Sequence, residues 1–296
     1  MQESRRPKLA CEVTANAVVA ARRADEGGVI AAAYPMQMRS PMIVPGLKES
    51  NVVDAGGLTG ALRQALTAVS SGDKFVTLVV PDSVVRVLTL DFDTLPDRER
   101  DALPIVRFRL RKLLPFDADT AAISYQSFQA KGQVRAVVAA MPMAIRAEYE
   151  QAVRGAGYEP GAILPATIAA LPLLNADSST LLVHVAGDSV TIAIVNGETL
   201  LLHRVLEIAP DNDEEVAQAI VVARAYFEDT LGSSPDSIVA AGPGSYERLQ
   251  SLLEKHFAEE GHIGLRPLIT SSNFLPGALP EAGQREMYGS VAGALN

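Results

Sequence analysis

Four histidines, one cysteine and scattered carboxylates are the side chains from which this 296-residue sequence would have to build acid–base, nucleophilic or metal chemistry. His184, His203, His256 and His262 show no paired metal-ligand spacing such as HExxH. Cys11, the single cysteine, excludes an intrachain disulfide and cysteine-rich zinc modules, and fits a reducing compartment. Ser189, His184 and Asp188 are close in sequence, but neighbouring strand residues face opposite ways, so proximity does not make them a triad. Asp91 and Asp93 share a strand face and read as a solvated strand end rather than a catalytic pair. Gly242-Pro243-Gly244-Ser245 falls between a strand-like and a helix-like run, where glycines let a ligand approach backbone N–H groups. Such turns also occur without a ligand.

The segment Pro96–Phe116 carries Arg98, Arg100, Arg107, Arg109, Arg111 and Lys112 against Asp97, Glu99 and Asp101. Without an interleaved aromatic ladder it reads as a solvated helix face or a surface for a partner or lipid headgroups, not as a nucleic-acid site. Phe108 lies off that helix's main apolar stripe and has two readings, a second buried face or an aromatic anchor for an incoming peptide. The whole chain has a net charge of −9, which argues against non-specific nucleic-acid binding. With 48% hydrophobic and 21% charged residues it can bury a sizeable core, and its length suggests two lobes. No run approaches the ~18 apolar residues of a membrane span, so contact with a membrane is expected only through a partner.

The elements that must position these residues can be read in order. Leu9–Ala21 and Val29–Tyr34, separated by Gly27-Gly28, read as a hairpin, and the proline-bearing stretch 35–50 as a connection. Asp54 caps a helix marked by Leu58, Leu62, Leu66 and Val69. FVTLVVP and SVVRVLTLDF are strands parted by the Pro81-Asp82 turn. Leu103, Val106, Leu110, Leu113 and Leu114 share one face of a helix that ends at Pro115, with Pro104 in a first turn capped by Asp101. AAISYQSFQ, VRAVVAA and a helix near 143–154 complete a β-β-α-β-β-α unit over 75–160, read as an inserted subdomain with four candidate strands. Leu181–Val195, the Asn196-Gly197 turn and Thr199–Ile208 then repeat a strand–turn–strand opening, which suggests two related lobes. Helices over Glu214–Leu231 and Tyr246–Phe257 flank the strand SIVAAG, and Met287–Leu295 reads as a closing helix.

The stretch Val76–Gln126, with its VPDS turn, its Arg107-Phe108 helix and its LLPF ending, resembles the PilM family, the actin-like cytoplasmic proteins of type IV pilus assembly machines. The resemblance continues through EYEQAVRGAGYEPGAILPATIAAL, a second hairpin ending in His203-Arg204, and AGPGS. It implies an α/β, actin-like (ribonuclease H-like) fold of two lobes. The first lobe would be 1–74 with 161–178, the inserted subdomain 75–160 and the second lobe 179–296. Ile208-Ala209-Pro210 runs almost directly into the helix at Glu214, a link too short for the roof subdomain that covers the nucleotide in the family.

In actin-like ATPases the nucleotide lies between the lobes, and the resemblance maps that site here onto Glu12, Gly242, Gly244 and Ser245. Glu12 stands where an Asp is expected, with Thr14 and Ala15 for Gly and Ser. His184 replaces the second Asp, Ala186 the following Gly, and Gly187-Asp188 come one step later. A neutral imidazole cannot replace a carboxylate at magnesium. The expectation is therefore no metal and no cofactor, with at most weak binding of ATP with magnesium, and a catalytically silent scaffold. Its partner would be a PilN-like bitopic inner-membrane protein whose N-terminal segment docks in a groove between the first lobe and the inserted subdomain. Arg107, Phe108, Arg111 and Phe116 would wall that groove, and His184→Ala would leave binding unchanged. The chain would be cytoplasmic, peripheral to the inner membrane through that partner, with self-association left open. The alternatives are an active actin-like ATPase or kinase using Glu12 and Gly242–Ser245, and a type II secretion platform component.

Overall fold

The computed structural model describes residues 7–25, 29–34, 40–130, 132–209, 212–256, 264–275 and 277–296. The Gly27-Gly28 turn, residues 35–39, Pro210, Asp211 and Phe257 lie outside them.

The apolar opening forms three strands rather than one hairpin: β1 (Leu9–Val13), β2 (Val18–Arg23) and β3 (Val29–Tyr34). Thr14 breaks the run, because its N–H donates to the Ala17 carbonyl at 2.9 Å and its hydroxyl shares that turn. The sheet is completed by β4 (Phe75–Val80) and β8 (Glu159–Pro165) in the order β3-β2-β1-β4-β8, with β1, β4 and β8 parallel. Helix α1 (Ala55–Val69) covers one face with Leu58, Leu62, Leu66 and Val69, and Asp54 caps it by accepting from Gly57 N at 2.8 Å. Helix α3 (Met143–Gly155) lies beside α1.

The inserted unit is smaller than 75–160. Its sheet has three strands, β5 (Arg86–Phe92), β7 (Gln133–Pro142) and β6 (Ala121–Ala130), in the order β5-β7-β6, with helix α2 (Glu99–Leu110) packed on it through Val106 and Leu110. The fourth expected strand, β4, belongs to the first lobe. Five of its six residues are buried, as in a parallel strand covered on both faces, whereas β5 and β6 mix buried and open positions. Pro81-Asp82 is accordingly a crossing between sheets and not a hairpin turn.

Helix α2 also departs from expectation. Arg98 is its N-cap and makes no side-chain cap bond, Asp101 lies inside the first turn, and Pro104 lies within the helix. The helix ends at Leu110 in a last turn through Arg111, with Leu113 N and Leu114 N both donating to the Leu110 carbonyl, and Leu113 is exposed there.

The second lobe repeats the first. Gly187, at φ +59°, splits its opening run into β9 (Ser179–Ala186) and β10 (Ser189–Asn196), and β11 (Thr199–Glu207) follows the Asn196-Gly197 turn. With β12 (Ser237–Ala241) and β13 (Leu265–Pro267) the order is β11-β10-β9-β12-β13, the same winding as the first sheet. Helices α5 (Asp213–Leu231) and α6 (Ser245–His256) cover it. Only residues 208–212 link β11 to α5, so the chain has no roof subdomain at that point.

The closing helix α7 (Gly289–Ala294) belongs to the first lobe, not the second. It is made of small residues and packs on α4 (Ala166–Ala170) so closely that a Cβ at Gly293 would stand 2.2 Å from the Ala169 carbonyl oxygen.

Candidate functional site

The two lobes face each other across a cleft of about 490 Å³. The Thr14–Ala17 turn after β1 and the Gly187-Asp188 turn after β9 form opposing lips, with Glu12, Asp82 and His184 beneath them. Asp82 is central to the floor. One carboxylate oxygen accepts from Thr167 N at 2.9 Å, and the other accepts from the Thr167 hydroxyl and lies 3.2 Å from His184 Nδ1. His203 Nε2 stands 3.8 Å from Asp82 Oδ1, within ion-pair range and too far for a hydrogen bond. Asp82, Thr167 and His184 are buried, and so is the His203 side chain.

The charges in this floor shape one another. Burial alone would raise the Asp82 carboxyl, but the hydrogen bond and charge of His184, with His203 close by, outweigh it and hold the group well below the usual carboxylate range. Burial likewise pulls His184 down, and Asp82 and then Glu12 more than reverse this, so its imidazole titrates above its ordinary value. Glu12 is pushed up to about 7, first by burial and then by the Asp82 charge, with His184 and a hydrogen bond from Ser290 opposing.

These residues do not fit a magnesium nucleotide. Both Asp82 oxygens are engaged by Thr167, and among the described residues no lysine or arginine lines the cleft to meet phosphates. The turn expected on the adenosine side has its own structural causes. A Cβ on Gly242, at φ +94°, would stand 2.0 Å from the Val185 carbonyl oxygen, so the position needs glycine for packing alone. The Ser245 hydroxyl donates to the Gly242 carbonyl, and only Gly244, at φ +66°, has open space above it. The backbone N–H groups of Gly244, Ser245 and Tyr246, which open α6, face the carboxylate of Glu286. Burial, with the Glu247 charge, raises that carboxyl despite them.

Elsewhere the sequence candidates separate. The Ser189 hydroxyl donates to the Ala186 carbonyl and not to His184. Asp91 pairs with Arg135 at 2.7 Å across the inserted sheet, and Asp93 accepts from Gln133. Asp82, Thr167, His203 and Glu286 were not singled out as site residues by sequence reasoning. Asp82 was legible only as turn chemistry in the VPDS run, and nothing in the sequence places the other three beside it.

A second concavity, about 610 Å³, lies between the inserted unit and the first lobe. Val85, Ala122–Ser124 of β6 and Ala139–Met141 of β7 form one wall, and Pro160–Pro165 of β8 the other. Arg146, Glu150 and Arg154 of α3 add a charged border, with Glu150 bridging both arginines. Among the described residues β6 and β8 are edge strands, so two unpaired strand edges flank this groove.

None of Arg107, Phe108, Arg111 and Phe116 lines the groove. Arg107 donates to the carbonyls of Ala118 and Ala121, fixing the start of β6, and Arg111 pairs with Asp119 at 3.0 Å just ahead of it. Phe116 packs against the inserted core, and Phe108 is 71% exposed on the outer side of α2.

No known family model matches the sequence, and no curated protein matches it either. Among solved structures, a chain of a PilM–PilN type IV pilus biogenesis complex superposes with a TM-score of 0.79. The match covers 98% of this chain and 98% of that one, at 18% identity. This chain has the actin-like fold of PilM. The PilM likeness spans both lobes and the inserted unit. The cytoplasmic domain of EpsL, an inner-membrane component of the type II secretion system of Vibrio cholerae, has a TM-score of 0.51 at 12% identity, over 89% of this chain and 98% of its own. At these identities both likenesses are of fold.

Proposed function

We propose that this chain is a scaffold of a type IV pilus assembly platform, holding an extended cytoplasmic segment of a PilN-like bitopic inner-membrane protein in the groove between β6 and β8. The groove itself carries the reading. An extended segment gains main-chain hydrogen bonds from an unpaired strand edge and specificity from alternate side chains. Here Val85, Ile123, Met141, Ile163 and Leu164 supply apolar contact, and the Arg146–Glu150–Arg154 row supplies a polar border. The likeness in fold to a chain solved as a PilM–PilN complex supports the same partner class. No helix of the described residues is long and apolar enough to cross a membrane, so attachment at the inner membrane would come through the partner.

The scaffold hydrolyses little or no ATP. The support is the lack of lysine or arginine among the described cleft residues, the engaged Asp82, and a link from β11 to α5 too short for a roof subdomain. A type II secretion partner is the second reading, supported by the likeness to EpsL, and it differs only in the protein captured.

The test is capture from detergent-solubilised inner membranes by the tagged chain. A bitopic protein with a short cytoplasmic segment should co-purify with the wild type and be lost with Ser124→Trp, which fills the groove from an exposed position. Recovery of no such protein, or equal recovery by the blocked variant, overturns the reading. Calorimetry with ATP and magnesium should show no binding tighter than about millimolar. Turnover abolished by Glu12→Ala would establish the ATPase alternative instead.

A further inference from the structure

The buried floor of the cleft is tied to the groove through the chain itself. Asp82 sits in the crossing Pro81–Val85 by which the backbone leaves the first-lobe sheet for the inserted sheet, three residues ahead of the groove residue Val85. Thr167 follows the end of β8, two residues after the groove residue Pro165. The two bonds from Thr167 N and Oγ1 to Asp82 therefore fasten one groove wall to the pivot of the other. Both residues belong to the first lobe. His184 of β9 and His203 of β11 come from the second, and His184 Nδ1 lies 3.2 Å from the Asp82 carboxylate and 3.3 Å from the Thr167 hydroxyl.

We propose that Asp82, Thr167 and His184 are positioning residues that set the width of the groove, with the second lobe's imidazoles clamping the pivot of the inserted unit in place of a bound ligand. The significance of that width rests on the peptide-groove reading above, while the clamp itself is a property of the free chain. It reverses the expectation that His184 has no role. Two packed states of a pivot, and not a continuous slackening, are what a buried polar clamp would separate.

The clamp responds to protons. His184 faces Asp82 from the crossing after β4, Thr167 from α4 and Glu12 from β1. Gly242 of the β12–α6 turn lies beside its ring and brings no charge, a Cβ there falling 3.3 Å from His184 Cδ2. Ser290 of α7 faces Glu12, and His203 of β11 faces Asp82. The His184–Asp82 attraction is full when the imidazole is protonated and falls as pH rises through its elevated pKa, while Glu12 gains charge near 7.

The groove can be measured without any partner. Spin labels at Ser124→Cys on β6 and Glu159→Cys beside the β8 wall span it, and native Cys11 is buried. Pulsed electron-spin distances should give one narrow distribution in the labelled parent at pH 6, broadening about twofold at pH 9. Thr167→Val and His184→Ala should show the broad distribution at both pH values, and Thr167→Ser should restore the narrow one at pH 6. Narrow, pH-independent distances in the parent overturn the clamp, as do unchanged distances in folded Thr167→Val. If His184→Ala does not fold, the parent's pH series and the Thr167 pair still decide. Failure to capture a membrane partner would leave these distances unaffected, so the two readings fail separately.

Discussion

The cleft and the groove have comparable volumes and opposite chemistry. In the cleft, Asp82 is buried and engaged by Thr167 and His184 and the start of α6 faces Glu286, while His203 Nε2 and Glu286 Oε2 are buried without a hydrogen-bond partner. In the groove, two strand edges end without partners among the described residues, and Ile123, Ile163 and Leu164 between them are only partly covered, over buried Val85 and Met141. A site whose polar groups already have internal partners gains little from a ligand, because each new bond replaces one already made. Unpaired backbone groups beside apolar surface gain both kinds of contact. The contrast says where in this fold binding capacity remains.

The largest expected effect breaks the cleft side of the contrast. Asp82→Ala removes the acceptor of both Thr167 bonds and the buried carboxylate partner of His184, so urea unfolding should report a loss of about 3–5 kcal/mol. Asp82→Asn, which keeps the shape, should cost less. A loss below about 1 kcal/mol for the alanine variant would mean that the floor is not an engaged network.

The next test divides the Gly-Pro-Gly turn. Gly242→Ala drives a Cβ into the Val185 carbonyl in a left-handed backbone and should cost about 2–4 kcal/mol, whereas Gly244→Ala, with open space, should cost only about 1. Equal costs would remove the packing explanation for Gly242. The pair also shows why sequence reasoning was drawn to this turn. A glycine required by a carbonyl distant in sequence has the same signature as one required by a ligand.

The pH dependence of stability follows from three groups. Asp82, depressed in the folded chain, contributes stability above its unfolded pKa of about 4 that is lost as pH falls through its lower folded value. His184, raised, contributes fully below about 6.5 and loses that contribution as pH rises through its folded value. Glu12, raised to about 7, costs stability as pH climbs from its unfolded value toward 7. Stability should therefore peak at mildly acid pH, between about 4.5 and 6.5, and decline toward pH 9. Chemical denaturation at pH 5.5 and 8.5 checks the sign, and a rise on the alkaline side would contradict the assigned floor.

Much of the architecture was legible because it is written in local patterns. Asp54 with the Leu58–Val69 stripe specified α1, and the repeated strand–turn–strand openings marked two lobes of the same winding. Two boundaries were misplaced where tertiary context decides. Phe75–Val80 looks like a strand in any sheet, and only its pairing with β1 and β8 assigns it to the first lobe. Small, apolar Gly289–Ala294 does not reveal which lobe will bury it. The site was less legible still. Asp82, Thr167, His184 and His203 come from four separate elements, so no spacing along the chain could join them.

The smallest expected effect concerns α2 and sharpens the groove side. Phe108 is 71% exposed and does not line the concavity, and Arg107 reaches it only by holding Ala118 and Ala121 at the start of β6. An exposed aromatic with no pocket around it contributes little to the fold, so Phe108→Ala should change stability by less than about 0.5 kcal/mol. Arg107→Ala, in contrast, removes its donated bonds to the Ala118 and Ala121 carbonyls at the start of β6 and should weaken capture of the membrane partner by severalfold, through β6. If binding is confined to the groove, Phe108→Ala should alter capture less than twofold while Ser124→Trp lowers it at least tenfold, about 1.4 kcal/mol. A tenfold loss in a stable Phe108→Ala chain would instead extend the contact surface around α2, and would restore the aromatic-anchor reading that the sequence offered.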